Sequence, residues 1–244
     1  MKNTYRIAEK NIAVASLYAG VHRLCAQYLC EGGAVDFAVE TGQRDIDIER
    51  EKSAREDAAE GIPVRHFTDE YLETLAVYRK IAERMPEYDT VLFHGSCVAV
   101  DGAAYLFTAK SGTGKSTHVR LWRELLGDRA VMVNDDKPLI RVDGSGAVAF
   151  GTPWDGKHRL SSNIAVPLRA VCILERAEEN VIRQITVSEA YPMLLQQVYR
   201  PSDAAAMGRT LDLTDRLAAA VRLWKLGCNM RPEAARTAYD AMRE

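Results

Sequence analysis

The chain has 244 residues, enough for one large or two small domains with a sizeable buried core. Apolar residues make up 47% and charged residues 27%, and the net charge is −2, so composition offers no electrostatic case for nucleic acid or an acidic membrane as partner. No apolar run approaches the roughly 20 residues of a membrane span, and Met1 to Arg6 lack the apolar core of a signal peptide, so a cytoplasmic protein is expected.

Five scattered cysteines, Cys25, Cys30, Cys97, Cys172 and Cys228, show no zinc-like pairing and read as reduced, mostly buried thiols. Residues 1 to about 16 alternate weakly and predict one or two strands. Ser16 to Cys30 carries Leu17, Val21, Leu24, Cys25, Tyr28 and Leu29 at helical spacing, closed by Gly32-Gly33. Ala34 to Val39 alternates as a strand does. Asp45 to Glu60 is dense in both charge signs and reads as a solvated helix or ordered surface arm, with Glu51 and Arg55 spaced for an i,i+4 pair. Thr68 or Asp69 can cap a helix with Leu72, Leu75, Tyr78, Ala82 and Met85 on one face, ended by Pro86.

Val91 to Val100 predicts a strand running into Asp101-Gly102, a strong hairpin signal, with Ala103 to Phe107 as the return strand. Next comes Thr108-Ala109-Lys110-Ser111-Gly112-Thr113-Gly114-Lys115-Ser116-Thr117, followed by a short amphipathic helix, Val119 to Leu126, with Gly127 as its stop. Strand, glycine-rich loop and helix make up the context of a phosphate-binding P-loop, although Ala109 stands where the usual pattern has its first glycine. Glycines let successive N–H groups turn toward phosphate oxygens, and the positive helix end completes the anion site. Ser111, Gly112, Thr113, Gly114, Lys115, Ser116 and Thr117 are therefore the nucleotide-binding candidates. Lys115 is expected to reach the β/γ phosphates and the Ser116 hydroxyl to sit on magnesium, which makes ATP and Mg the expected cofactors.

Ala130 to Val133 predicts a short buried strand ending in Asn134-Asp135-Asp136, some twenty residues after the loop. Phosphoryl transfer needs one carboxylate on the metal side and can use another to take the proton of an attacking hydroxyl. Adjacent strand residues face opposite ways, so Asp135 and Asp136 share a site only if the strand has ended before them. The remainder predicts a turn at Asp143 to Gly146, a strand near Ala147 to Phe150, a loop from Gly151 to Lys157 and a strand from Leu168 to Glu175. Helices at Ser188 to Val198 and Ser202 to Leu217, a strand at Ala220 to Leu226 and a last helix opened by Pro232 complete the chain.

His94-Gly95 on a strand, a hairpin, Ser-Gly-x-Gly-Lys-Ser and a strand ending in Asp-Asp together resemble the catalytic domain of bacterial HPr kinase/phosphorylase. The pattern is also similar to the ATP-dependent phosphoenolpyruvate carboxykinases, and Gly151 to Lys157 resembles a segment of small HPr-kinase-like proteins. The resemblance covers Val91 to Glu175, continues through the tail, and does not reach residues before 89. It implies an α/β fold with a mixed-sheet P-loop core over 90–244. The N-terminal α+β region over 1–89, being unlike the HPr kinase's own N-terminal domain, is expected to shape the acceptor side. The resemblance also implies an ATP- and Mg-dependent kinase acting on a hydroxyl, with Asp136 as proton acceptor and His94 and Lys115 beside the reacting groups. Asp135 then falls to the metal side with Ser116. Asp155, Lys157 and Arg200 are candidates for phosphate, metal or acceptor contact, each also admitting a loop-fixing role. The acceptor is left open between a protein or peptide serine and a small molecule, and so is oligomeric state, a homo-oligomer included. A carboxykinase-like enzyme and a nucleotide-sensing module without transfer activity are the competing readings.

Overall fold

The computed structural model describes residues 1–156 and 158–244. The chain divides into two compact units, Met1–Glu83 and Arg84–Glu244.

In the first unit, β1 (Lys2–Ile7) and β2 (Lys10–Ala15) pair antiparallel, and β3 (Phe37–Glu40) adds parallel to β2. Both residues of the β1–β2 turn are left-handed, with φ of 47° at Ala8 and 63° at Glu9, the backbone that matches strand twist in two-residue hairpins. The helix predicted over Ser16 to Cys30 does not form as such. Only α1 (Gly20–Leu24) and one 3-10 turn, Ala26–Tyr28, are helical. The start of the segment is anchored by the fully buried Glu73, whose carboxylate accepts from Leu17 N–H at 2.7 Å, Tyr18 N–H at 2.8 Å and the Thr41 hydroxyl at 2.8 Å. At the other end, Cys30 N–H bonds to Thr4 O and Leu29 bridges to Tyr5, which draws the chain onto the β1 edge.

Helix α2 (Gln43–Ala59) is charged as expected, but Glu51 and Arg55 form no pair among the described residues. Its acids turn instead to α3 (Asp69–Arg84): Glu49 to Arg79 at 2.6 Å and Asp45 to Lys80 at 2.9 Å. The helix is therefore a half-docked one whose ion pairs cross to a neighbour.

The second unit is built on a mixed sheet. Its strands are β4 (Thr90–Leu92), β5 (Ser96–Val100), β6 (Ala103–Thr108), β7 (Ala130–Asn134), β8 (Leu139–Asp143), β9 (Gly146–Phe150), β10 (Ala165–Arg176), β11 (Val181–Gln184) and β12 (Arg222–Cys228). They run in the order β4-β8-β9-β10-β6-β5-β7, with β12 joining β10 to β11. β10 is the spine: its start pairs antiparallel with β9 and its remainder parallel with β6 and β12. Cys172 and Leu174 face one apolar cluster with Phe107 and Trp122, while Val171 and Ile173 face another with Leu106 and Leu213. Burial on both faces explains why the strand reads as an unbroken apolar run. α4 (Lys115–Leu126) and α7 (Glu233–Met242) pack against the first cluster, and α5 (Val187–Gln197) and α6 (Ala204–Ala220) against the second.

Three expectations change here. Strands β8 and β11 were not predicted, and β10 begins three residues earlier than its apolar run suggests. The single strand expected over Val91 to Val100 is broken at Phe93-His94-Gly95, where His94 N–H bonds to Gln197 O at 2.8 Å and Gly95 N–H to Asp136 O at 3.0 Å. Those partners lie outside any ladder, so pairing passes from β8 on one side of the break to β6 and β7 on the other. Gly95 is required, because a Cβ there would stand 2.9 Å from the Phe107 carbonyl oxygen.

Candidate functional site

The Asp101-Gly102 hairpin returns the chain into β6, which ends at Thr108 and releases the glycine-rich loop. Gly112 and Gly114 have φ of 74° and 117°, values that L side chains rarely adopt, and Gly114 is the residue from which α4 starts. Ser111 and Gly112 are exposed at the loop tip, Thr113 N–H bonds to Lys110 O at 3.2 Å, and Lys115, Ser116 and Thr117 form the first turn of α4. Trp122 seats that helix: it is fully buried, edge-on to Phe107, and donates to His118 Nε2 at 3.1 Å. Burial pushes His118 down to about 4, so it is neutral near pH 7 and accepts that bond.

Lys115 is half-buried, and its ammonium lies 3.3 Å from Ala109 O. Burial lowers its pKa from the ordinary value, opposed by the charge of Asp136. Asp136 is in turn held by His94 Nε2 at 3.4 Å and Lys137 Nζ at 3.3 Å. Burial acts to raise the Asp136 carboxyl, but the His94 hydrogen bond and the Lys137 and His94 charges outweigh it and hold the group at about 2. Lys115, Asp136 and His94 are thus brought to one place from the loop, the end of β7 and the break between β4 and β5.

Strand β7 stops at Asn134, and its side chain makes the turn that follows. The buried Asn134 Oδ1 accepts from Asp136 N–H at 2.8 Å and Lys137 N–H at 2.6 Å. Its amide group donates to Thr152 Oγ1 at 3.0 Å and to the carbonyls of Thr152 and Trp154. Asn134 therefore clasps the acid turn to the 152–154 loop, a positioning role that residue type and spacing did not reveal. Its signal was an Asn directly before two acids at a strand end, the commonest side chain for such a turn.

Asp135 points elsewhere. Its carboxylate accepts from Gly156 N–H at 2.6 Å, and it lines a cavity of 230 Å³ together with Ser116 and Thr117. Burial raises its pKa, and the nearby Asp155 charge adds to that. Asp155 is likewise raised by burial while accepting from the Ser161 hydroxyl at 3.0 Å, and it feels Asp136 as well. The three carboxylates thus feel one another's charge, in a field that also contains Lys115, Lys137, His94 and Arg159. Among the described residues no three or more His, Cys, Asp or Glu side chains converge in a manner suited to a metal ion. Such a set is not required for Mg²⁺, which is commonly held by one or two carboxylates plus substrate phosphates and water.

Arg200 is exposed and forms no hydrogen bond or ion pair among the described residues, so it is not gathered into this group. Lys157 lies outside the described residues. A cation that the sequence did not single out is Arg176, at the end of β10, which donates to Gly112 O at 2.5 Å across the loop tip.

The Asp136 pKa has a consequence for acid stability. A carboxyl held at about 2, against about 3.9 when unfolded, adds stability that is fully present above roughly pH 5 and is lost as pH falls through 2. Asp136→Asn is therefore expected to remove about 2 kcal/mol of the pH-dependent stability between about pH 5 and 2, read by urea unfolding at each pH. An unchanged acid limb in the variant would show that His94 and Lys137 do not hold this group.

A protein-family model, that of the SynChlorMet cassette protein ScmC, matches residues 64–230, more than half of the chain. The chain belongs to the ScmC family. No curated protein matches it. Among solved structures it is similar to the Hpr(Ser) kinase/phosphatase from Coxiella burnetii, at 10% identity, over 63% of this chain and 99% of that one, with a TM-score of 0.34. That likeness is too distant to argue from. The ScmC match spans α3 to β12 and includes the glycine loop, the acid turn and the 151–156 loop, so the gathered residues all lie inside the family segment. The described helices include none long and apolar enough to cross a membrane.

Proposed function

We propose that the Arg84–Glu244 unit is an ATP- and Mg-dependent kinase with a P-loop, transferring the γ-phosphate to a hydroxyl. The observation that carries this is the convergence of the Lys115 ammonium with the Asp136–His94 pair, while Ser116 and Asp135 line one cavity alongside. The loop amides from Gly112 to Lys115 cradle the phosphates, and Lys115 neutralises charge at the β/γ junction. Ser116 and Asp135 would hold magnesium, whose contribution is to neutralise charge on the β and γ oxygens.

The acceptor oxygen bonds to the γ-phosphorus as the bond from that phosphorus to the β–γ bridging oxygen breaks, and ADP leaves. The hydroxyl proton passes to Asp136. A carboxylate held at about 2 is a weak base, so Asp136 chiefly orients the hydroxyl and takes its proton late. That suits a loose transition state, in which little proton transfer is needed before the phosphoryl group moves. His94 fixes the Asp136 carboxylate by its 3.4 Å contact.

The test is incubation of the full chain with γ-labelled ATP, Mg²⁺ and a cell extract. Label is expected on a hydroxyl-bearing acceptor, and is expected to be lost in Asp136→Asn. Tight ATP binding with the γ-phosphate retained would make the protein a nucleotide sensor. ATP consumption that depends on oxaloacetate would make it a carboxykinase.

A further inference from the structure

The cavity beside Ser116 continues past the residues that the transfer chemistry uses. It runs along one face of α4, where Ser116, Arg120 and Arg123 recur at i, i+4 and i+7, over two turns or about 10 Å of axis. It is lined by the exposed Ser116 and the buried Asp135, by the polar Ser96, Thr117 and His158, and by the apolar Val119, Met132 and Leu160. It also carries two arginines, and these differ. Arg120 is paired with Glu124 on the same helix. The Arg123 guanidinium has no hydrogen bond or ion pair among the described residues. Long helical side chains lean toward the N-terminus, so Arg123 covers the turn between itself and Ser116 and reaches over the cavity.

A cavity of 230 Å³ is smaller than the roughly 300–1,000 Å³ that encloses a drug-sized ligand, and far too small for a folded domain. It lacks the loop residues from Lys110 to Lys115, so it is not where the amides of the glycine loop would hold a polyphosphate. A short molecule fits the three zones: a polar group at Ser116 and Asp135, a few carbons against Val119, Met132 and Leu160, and an anion facing Arg123.

We propose that this cavity is the acceptor site, and that the acceptor is a small hydroxy acid. Its carboxylate is held by Arg123, and its hydroxyl reaches past the Ser116–Asp135 end of the cavity toward the adjoining Asp136, which does not itself line the cavity. The assignment of the hydroxyl to phosphate transfer rests on the kinase reading above, whereas the anion-binding character of the cavity does not.

The test is calorimetric titration of the full-length protein, with Mg²⁺ and a non-hydrolysable ATP analogue present, using matched acid and neutral probes. Glycerate, lactate and 3-hydroxypropanoate are compared with glycerol, propane-1,2-diol and propane-1,3-diol. At least one acid is expected to bind about tenfold or more tightly than its neutral partner, as a charge-assisted hydrogen bond implies. Arg123→Ala is expected to erase that preference while leaving affinity for the ATP analogue unchanged, and Arg123→Lys to restore part of it. Arg123 is exposed, so the fold should survive either change, as an unaltered melting midpoint would confirm. The proposal is overturned if no acid binds, if a neutral probe binds as well as its acid, or if Arg123→Ala binds the acids as before. It is also overturned if labelled ATP marks a protein serine in an extract while all three acids stay unlabelled. The kinase reading fails separately, if the ATP analogue does not bind or if Lys115→Met transfers the γ-phosphate as wild type does.

Discussion

Replacing Lys115 by methionine is expected to slow γ-phosphate transfer by about 10²–10³-fold, the usual cost of removing one preorganised donor from a phosphoryl or oxyanion site. The same change is expected to leave the fold standing. In the free protein the ammonium is half-buried, its pKa is lowered by burial, and among the described residues its one hydrogen bond is a 3.3 Å contact to Ala109 O. An apolar side chain of similar length fills that place without the desolvation cost. The pairing of a large kinetic loss with an unchanged or slightly raised melting temperature separates a chemical role from a structural one. Initial rates with labelled ATP and a thermal scan on both proteins measure it. Transfer within threefold of wild type would remove Lys115, and with it the phosphate-loop assignment.

Gly151→Ala is the substitution expected to cost the most stability in the second unit. A Cβ on Gly151 would stand 1.8 Å from Ser162 O and 2.7 Å from Val133 O, both backbone atoms that cannot swing aside. The same stretch is tied by Gly151 N–H to Ile164 O at 3.0 Å and Ser162 N–H to Val133 O at 3.2 Å, so relief would break the seam joining the end of β7 to the 151–164 segment. A loss of about 3 kcal/mol or more is expected, near the upper end for overpacking. For a chain of this length that is a fall of roughly 6–12 °C in melting temperature. Gly144→Ala is the control: nothing lies within 4 Å of its added Cβ, and a change within about 0.5 kcal/mol is expected. Equal effects in the two variants would refute the packing account. Because Asn134 clasps Thr152 and Trp154 just beyond Gly151, the damage should also reach the acid turn.

Much of the local structure near the loop was legible in the residues. The Asp101-Gly102 hairpin, the strand before the loop and the helix after it all occur, because each depends on φ, ψ and periodicity over a few residues. The condition set for Asp135 and Asp136, that the strand end before them, is met by the Asn134 turn. Longer reaches were not legible. The break at His94-Gly95 follows from partners at Gln197 and Asp136, and the segment from Ser16 to Cys30 is drawn at its end onto β1 by Thr4 and Tyr5. Periodicity cannot see a hydrogen-bond acceptor 40 to 100 residues away.

The amino-acid order by itself determined that a glycine-rich loop stands between an apolar strand and an amphipathic helix, with two acids at the end of the buried strand that follows the helix. These are properties of neighbouring residues, set by backbone sterics and side-chain alternation. Only the tertiary structure decided that the two adjacent aspartates differ. Asp136 meets His94 and Lys137 and is held at about 2, while Asp135 turns into the cavity with Ser116 and is raised by burial. Proton affinity depends on burial and on charges within a few ångströms, and those come from segments that folding alone brings together.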